Sequence, residues 1–263
     1  MKGNALDIFV VFVLGLVQGF TEFLPVSSSG HLVLFENIFG IRDGSLFLNV
    51  ALHVATLVAV VIFYRKKLWD MVKHPLQPIN AYLVCATVVT CLIVVLFSDF
   101  FENSFSGGLL AWGFILSAVF LLATEWISKK YEKANYTRPK IGAKQSLLLG
   151  LFQGLAILPG ISRSGTTLCA GIVMGVEKKE ALDFSFLMSI PIIIASLVYE
   201  LVKCDFKLDF ADVTLTQTLV GCVTAFACAI VGIKLMLKVV EKVQYKWFAI
   251  YLLILAGITI IVV

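Results

Sequence analysis
Residues 25–32 read "PVSSSGHL", with Glu22 just upstream, and residues 159–167 read "PGISRSGTT". Together they bring hydroxyls, a carboxylate, an imidazole and a guanidinium into two short stretches of a very apolar chain. Phosphoryl transfer needs these parts: a nucleophile, a proton acceptor and donors that neutralise phosphate charge. Gln18 and Glu22 are four residues apart, so they share one helix face. Ser28 lies one helical turn before His31, and Arg163 is the one Lys or Arg in either stretch. "SSSG" and "SRSG" each precede a helical segment, whose N-terminus turns unpaired N–H groups and positive dipole toward an anion. The candidate phosphate contacts are Gln18, Ser27, Ser29 and Gly30 in the first stretch, and Ser162, Ser164, Gly165, Thr166 and Thr167 in the second. Plainer readings stand beside these. Serine and threonine are ordinary helix caps. Glu22 and Arg163 would also serve as a salt bridge pinning two parts of the chain, and His31 as a satisfied core residue. His53, on an apolar helix, and His74, in a basic loop, receive no role.

The elements that must position these groups are membrane helices. The 263 residues are 60% hydrophobic and 14% charged, with mean hydropathy +0.98, which excludes a soluble domain. The net charge of +4 is not a nucleic-acid signature, because the basic residues sit in loops between apolar segments. Cys85, Cys91, Cys169, Cys204, Cys222 and Cys228 form no CxxC pair and read as small hydrophobes. The N-terminal region carries no small-residue cleavage site, so no removable signal peptide is expected.

Hydropathy predicts six crossings, at about 46–64, 79–97, 107–127, 184–202, 214–237 and 247–263. Residues 5–40 and 145–176 are apolar but interrupted by the two polar stretches, which predicts re-entrant helical hairpins. With the hairpins counted as non-crossing, 16 of the 21 Lys and Arg residues fall on one side. Lys2, Arg42, Lys203 and Lys207 fall on the other, and Arg163 lies within the second hairpin. The positive-inside rule then puts the crowded side in the cytoplasm and both termini outside.

An internal repeat supports the same layout. "GLVQGFTEFLPVSSSG" (15–30) and "GLFQGLAILPGISRSG" (150–165) match at an offset of 135: Gly15, Leu16, Gln18, Gly19, Ser27, Ser29 and Gly30 recur as Gly150, Leu151, Gln153, Gly154, Ser162, Ser164 and Gly165. Each half reads as a hairpin and three crossings. Three is odd, so the second half is inverted and the hairpin tips can meet near mid-membrane. The expected fold is therefore an all-α polytopic membrane protein, with six transmembrane helices and two re-entrant hairpins in two inverted-topology repeats. It is one membrane domain over 1–263, with repeat one at about 1–128 and repeat two at about 140–263. The GxxxG pairs Gly15/Gly19 and Gly150/Gly154 read as sites of close helix packing.

At these residues the chain resembles the undecaprenyl-diphosphate phosphatase family, bacterial integral-membrane lipid diphosphatases once named for bacitracin resistance. The likeness rests on "QGFTE" (18–22) running into "FLPVSSSGHL", and on "PGISRSGTT", and it covers essentially the whole chain. It implies hydrolysis of undecaprenyl diphosphate to undecaprenyl phosphate and inorganic phosphate, which recycles the carrier lipid for wall polymers. It implies Glu22, Ser28, His31 and Arg163 as the catalytic core. It also implies a divalent cation, Mg²⁺ or Ca²⁺, and no organic cofactor; the sequence offers no all-protein metal site, so the cation would be held mainly through the substrate diphosphate, with its protein ligands open and Glu22 the candidate. Gln18 stands where many members carry Glu, so one carboxylate is lost. The implied partners are a polyprenyl diphosphate lipid and the bilayer of the bacterial inner membrane, with a homodimer admitted and no nucleic acid. The acid-phosphatase-like lipid phosphatases are excluded: Tyr131 stands where their Lys precedes Arg138-Pro139, and Cys169 where their His follows Ser162-Arg163. The rival reading is an inverted-repeat transporter or lipid flippase, which needs anion contacts but no nucleophile.

Overall fold
The structure is a computed structural model that describes residues 7–41, 46–100, 108–134, 136, 139–203, 213–242 and 244–262. Lys2, Arg42, Arg138 and Lys207 of the charge count, and Cys204, lie outside the described residues. The described residues contain eleven principal helices. These are α1 (Ile8–Phe23), α2 (Ser28–Ile38), α3 (Leu46–Phe63), α4 (Arg65–Lys73), α5 (Pro78–Leu96), α6 (Leu109–Lys133), α7 (Ala143–Leu155), α8 (Arg163–Val173), α9 (Lys178–Lys203), α10 (Leu215–Lys242) and α11 (Lys246–Val262).

Five of them, α3, α5, α6, α9 and α10, are long and apolar enough to cross a membrane, and they coincide with the first five predicted crossings. The sixth predicted crossing falls on α11, apolar after Lys246 but described over only 17 residues. Many large apolar side chains face outward, among them Val84, Leu96, Trp112, Leu219 and Ile261, as a lipid-facing surface requires. The chain is a multi-pass membrane protein. One helix was not expected: the charged loop at 65–78 begins with α4, which buries no residue. Its base is pinned to α9. Lys67 Nζ lies 3.3 Å from Asp183 Oδ2, and the Tyr64 hydroxyl donates to Asp183 Oδ1 at 2.7 Å.

The two interrupted apolar regions each fold as a pair of helices, every one of them shorter alone than a bilayer crossing. Their helices have 16 and 11 residues in the first, and 13 and 11 in the second. At about 1.5 Å per residue even the longest covers only ~24 Å of a hydrocarbon core of about 30 Å. Local chemistry sets the breaks. Asp7 Oδ1 accepts from Phe9 N at 3.0 Å and starts α1. Leu24 takes an extended backbone ahead of Pro25 and ends it. Ser27 caps α2 by accepting from Gly30 N at 3.3 Å, and Ser162 caps α8 by accepting from Gly165 N at 3.1 Å.

Packing between elements repeats in a swapped pattern. Helix α1 packs on α10, and its counterpart α7 packs on α5. Helix α3 packs on α10 and α9 on α5; α2 touches α11 and α8 touches α6. The GxxxG glycines make the first of these approaches possible. A Cβ on Gly19 would stand 2.4 Å from the Ala225 carbonyl oxygen, and one on Gly150 would stand 2.5 Å from that of Ala86. The cysteines follow the plain reading: Cys85, Cys91, Cys169, Cys222 and Cys228 are all free.

Candidate active site
The turns between α1 and α2 and between α7 and α8 meet inside the protein. The Ser164 hydroxyl donates to the Leu24 carbonyl at 2.8 Å, and Pro25 lies against Gly165. Helix α6 buttresses both turns. Gly113 lets the chain at Pro159 and Gly160 approach, and Phe114 abuts Gly30. Gly160 has φ +81°, a left-handed turn that glycine adopts without cost.

Glu22 sits at the centre, 4% exposed. Arg163 Nη2 donates to its Oε1 in a direct ion pair. The Ser28 hydroxyl donates to Oε2 at 2.7 Å, and Gln18 Nε2 donates to the same oxygen at 3.0 Å. A buried carboxylate is stable only when its lone pairs are filled in this way. The helix face shared by Gln18 and Glu22 is thus used as the spacing predicts. Arg163 and Ser28 are the first residues of α8 and α2, so the helix N-termini converge on one acid.

The structure gathers Gln18, Glu22, Ser28 and Arg163 and places the other candidates around them. Ser27 and Ser162 are the caps. Ser29 is half-buried in the first turn of α2, and Gly30 is closed off by Phe114. Thr167 turns away: its hydroxyl bonds the Arg163 carbonyl at 2.9 Å and Ser185 Oγ at 2.6 Å. The Thr166 hydroxyl is buried with no partner. His31 does not meet Ser28. Its Nδ1 lies 2.7 Å from the Ser27 carbonyl and its Nε2 lies 2.6 Å from the Tyr251 hydroxyl. His53 Nδ1 bonds the Asn49 carbonyl at 2.8 Å, on the α3 helix that also packs against α1.

Two contributors were not visible in the sequence. Tyr251 comes from α11, and Ser117, in the middle of α6, accepts from Ser162 N at 2.9 Å. Both are hydroxyls on apolar helices, where no spacing signal marks them.

The family described as "Bacitracin resistance protein BacA" matches residues 11–258. The chain belongs to the BacA family. The chain is similar to an undecaprenyl-diphosphatase of Carboxydothermus hydrogenoformans, 37% identical over 97% of this chain and 96% of that one. It is similar to undecaprenyl-diphosphatase 3 of Bacillus cereus, 34% identical over 91% of each chain. It is also similar to an undecaprenyl-diphosphatase of Christiangramia forsetii, 34% identical over 94% of each. The BacA-family match takes in both turns and every helix from α2 to α10, so the site lies within it.

Proposed function
We propose that this protein hydrolyses undecaprenyl diphosphate to undecaprenyl phosphate and inorganic phosphate, using the Glu22–Ser28–Arg163 constellation. The observation that carries the reading is the Ser28 hydroxyl donating to Glu22 Oε2 at 2.7 Å beside an arginine. BacA-family membership and the undecaprenyl-diphosphatase relatives support the substrate. A transporter needs anion contacts but no nucleophile, so phosphate release by the purified protein separates the two readings.

Ser28 Oγ attacks the terminal phosphorus, and its proton passes to Glu22. The bond from that phosphorus to the bridging oxygen breaks, and undecaprenyl phosphate leaves. Water then hydrolyses the phosphoserine, releasing inorganic phosphate and restoring the hydroxyl. Arg163 holds the diphosphate with the guanidinium donors it does not give to Glu22, and remains charged throughout. The N–H groups at the starts of α2 and α8, with the free Thr166 hydroxyl, add neutral donors to the developing charge. The His31 ring closes the back of the α2 turn.

A divalent cation fits this site only through the substrate. Among the described residues no three His, Cys, Asp or Glu side chains gather into a metal-binding group. The protein offers Glu22 and the buried, unpartnered Gln18 Oε1, and phosphate oxygens and water would complete the shell. Bound there, the cation would neutralise diphosphate charge. Detergent-purified protein is expected to release phosphate from undecaprenyl or farnesyl diphosphate with Mg²⁺ or Ca²⁺ present, and EDTA is expected to suppress it. Lipid binding without release would overturn the hydrolase reading in favour of transport.

The finer architecture belongs to the same proposal. The paired regions α1–α2 and α7–α8 are re-entrant hairpins, α11 is the sixth crossing, and the two halves are inverted repeats. The swapped packing pattern and the offset of 135 residues support this. In the inner membrane both termini then face outward. In a cysteine-free background, an impermeant thiol reagent added outside is expected to label a cysteine at Thr214 and spare one at Asp70. The reverse pattern would sink the orientation.

A further inference from the structure
The His31 imidazole is 1% exposed, and both of its nitrogens are used. Nδ1 faces the Ser27 carbonyl oxygen, which only accepts, so Nδ1 carries the ring proton. In the neutral ring Nε2 is then an acceptor, and the Tyr251 hydroxyl donates to it at 2.6 Å. The phenol ring stacks on the imidazole at 5.6 Å and 14°, and Phe114 meets it edge-on at 5.9 Å. A ring filled in this way has no lone pair left for the Ser28 proton.

What the ring holds is the residue before the hydroxyl. Ser27, at φ +68° and ψ 94°, is the one non-glycine residue with positive φ among the described residues. Its carbonyl is bound twice by residue 31, by the backbone N at 3.2 Å and by Nδ1 at 2.7 Å. An L residue enters this region at a cost, so something must hold it there. The chain direction at Ser27 sets where Ser28 begins, and Ser28 Oγ reaches Glu22.

We infer that Tyr251 is a positioning residue for the reaction: by holding His31 in its Nδ1–H tautomer, it locks the left-handed Ser27 turn that aims Ser28 at Glu22. The other half of the molecule has a matching brace. Helix α6 reaches the second turn through Ser117, which accepts from Ser162 N and donates to the Gly160 carbonyl at 3.4 Å. At the offset of 135, Tyr251 corresponds to position 116, next to Ser117. Each half's last long helix therefore supports the other half's turn. Only the Tyr251 brace works through a side chain that can change tautomer.

The inference rests on Ser28 as the nucleophile, and the test separates the two claims. The full-length protein in detergent is assayed with farnesyl diphosphate, beside melting curves and histidine ¹⁵N spectra. In the wild type His31 is expected to stay the neutral Nδ1–H tautomer from about pH 5 to 8. Tyr251→Phe keeps the stacked ring and removes the donor. It is expected to lower kcat about 3- to 10-fold with KM unchanged and only a small fall in melting temperature, while His31 begins to take up a proton in that range. His31→Asn retains an amide N–H that reaches the Ser27 carbonyl, and is expected to keep at least about tenfold more turnover than His31→Ala. Wild-type kcat in Tyr251→Phe, titration of wild-type His31 in step with activity, or Asn no better than Ala would each overturn the inference. If Ser28→Ala turns over normally, the nucleophile reading falls and this one with it. If Ser28→Ala is inactive while Tyr251→Phe runs at full rate, this one falls alone.

Discussion
The α1–α2 and α7–α8 turns share a frame and differ in their chemistry. At the offset of 135, Ser27 matches Ser162 and Gly30 matches Gly165, and each serine caps its helix on the matching glycine N–H. The residue after each cap is where they part: Ser28 in one, Arg163 in the other. Glu22 has Ile157 as its counterpart, and His31 has Thr166. The two equivalent positions converge on the one acid from opposite sides, Ser28 on Oε2 and Arg163 on Oε1. A duplicated turn thus supplies a hydroxyl from one copy and a fixed positive charge from the other. The difference between the copies is what makes a site out of a symmetric scaffold.

The most severe test of that division removes the acid between the copies. Glu22→Gln keeps the shape and loses the charge. As the proton acceptor for Ser28, its loss is expected to lower turnover by at least about 10²-fold in protein that remains folded. Arg163→Lys keeps the charge but loses the fork, and is expected to cripple turnover similarly. Ser28→Ala, which removes only a hydroxyl, is expected to reach background with an unchanged melting curve. If the ion pair merely ties the copies together, truncating one partner costs about 3–5 kcal/mol of stability. The Glu22 and Arg163 variants would then fail to fold. Phosphate release measured beside thermal melting separates the two outcomes.

The frame was more legible in the sequence than the supports of the site. Five crossings emerge from hydropathy because the lipid-facing and inward sides of α3, α5, α6, α9 and α10 are both apolar. Helix α4 was hidden because its residues are charged and bury nothing, so no apolar face marks it as a helix. The pairing of Glu22 with Arg163 was readable because each is an isolated charge in an apolar region. Contact between His31 and Ser28 was suggested by their spacing alone. That failed because the imidazole turns back onto the Ser27 carbonyl through Nδ1 and meets the Tyr251 hydroxyl through Nε2. Tyr251 lies 220 residues from His31 on a helix whose pattern is that of any lipid-facing span. Only the tertiary fold brings it to the site.

A subtler difference between the copies lies in where each turn places its left-handed residue. The second turn uses Gly160, at φ +81°, and leaves its cap Ser162 relaxed at φ −74°. The first turn places the left-handed conformation on the cap itself, Ser27 at φ +68°. Replacing either cap with glycine costs only a few tenths of a kcal/mol in capping. At Ser27, glycine also removes a left-handed penalty of about 1–2 kcal/mol, which outweighs the lost cap and the looser chain, so Ser27→Gly is expected to raise stability by up to about 1 kcal/mol. Ser162→Gly relieves nothing and is expected to lower stability by up to about 1 kcal/mol, through the lost cap and a looser chain. Alanine at either position loses about 1 kcal/mol of cap, and at Ser27 it keeps the strain. Chemical denaturation of the four variants checks this. Opposite signs for the two glycine variants would show that the first turn holds strain beside its reactive serine. Equal signs would mean that the copies differ only in the side chains they present to Glu22.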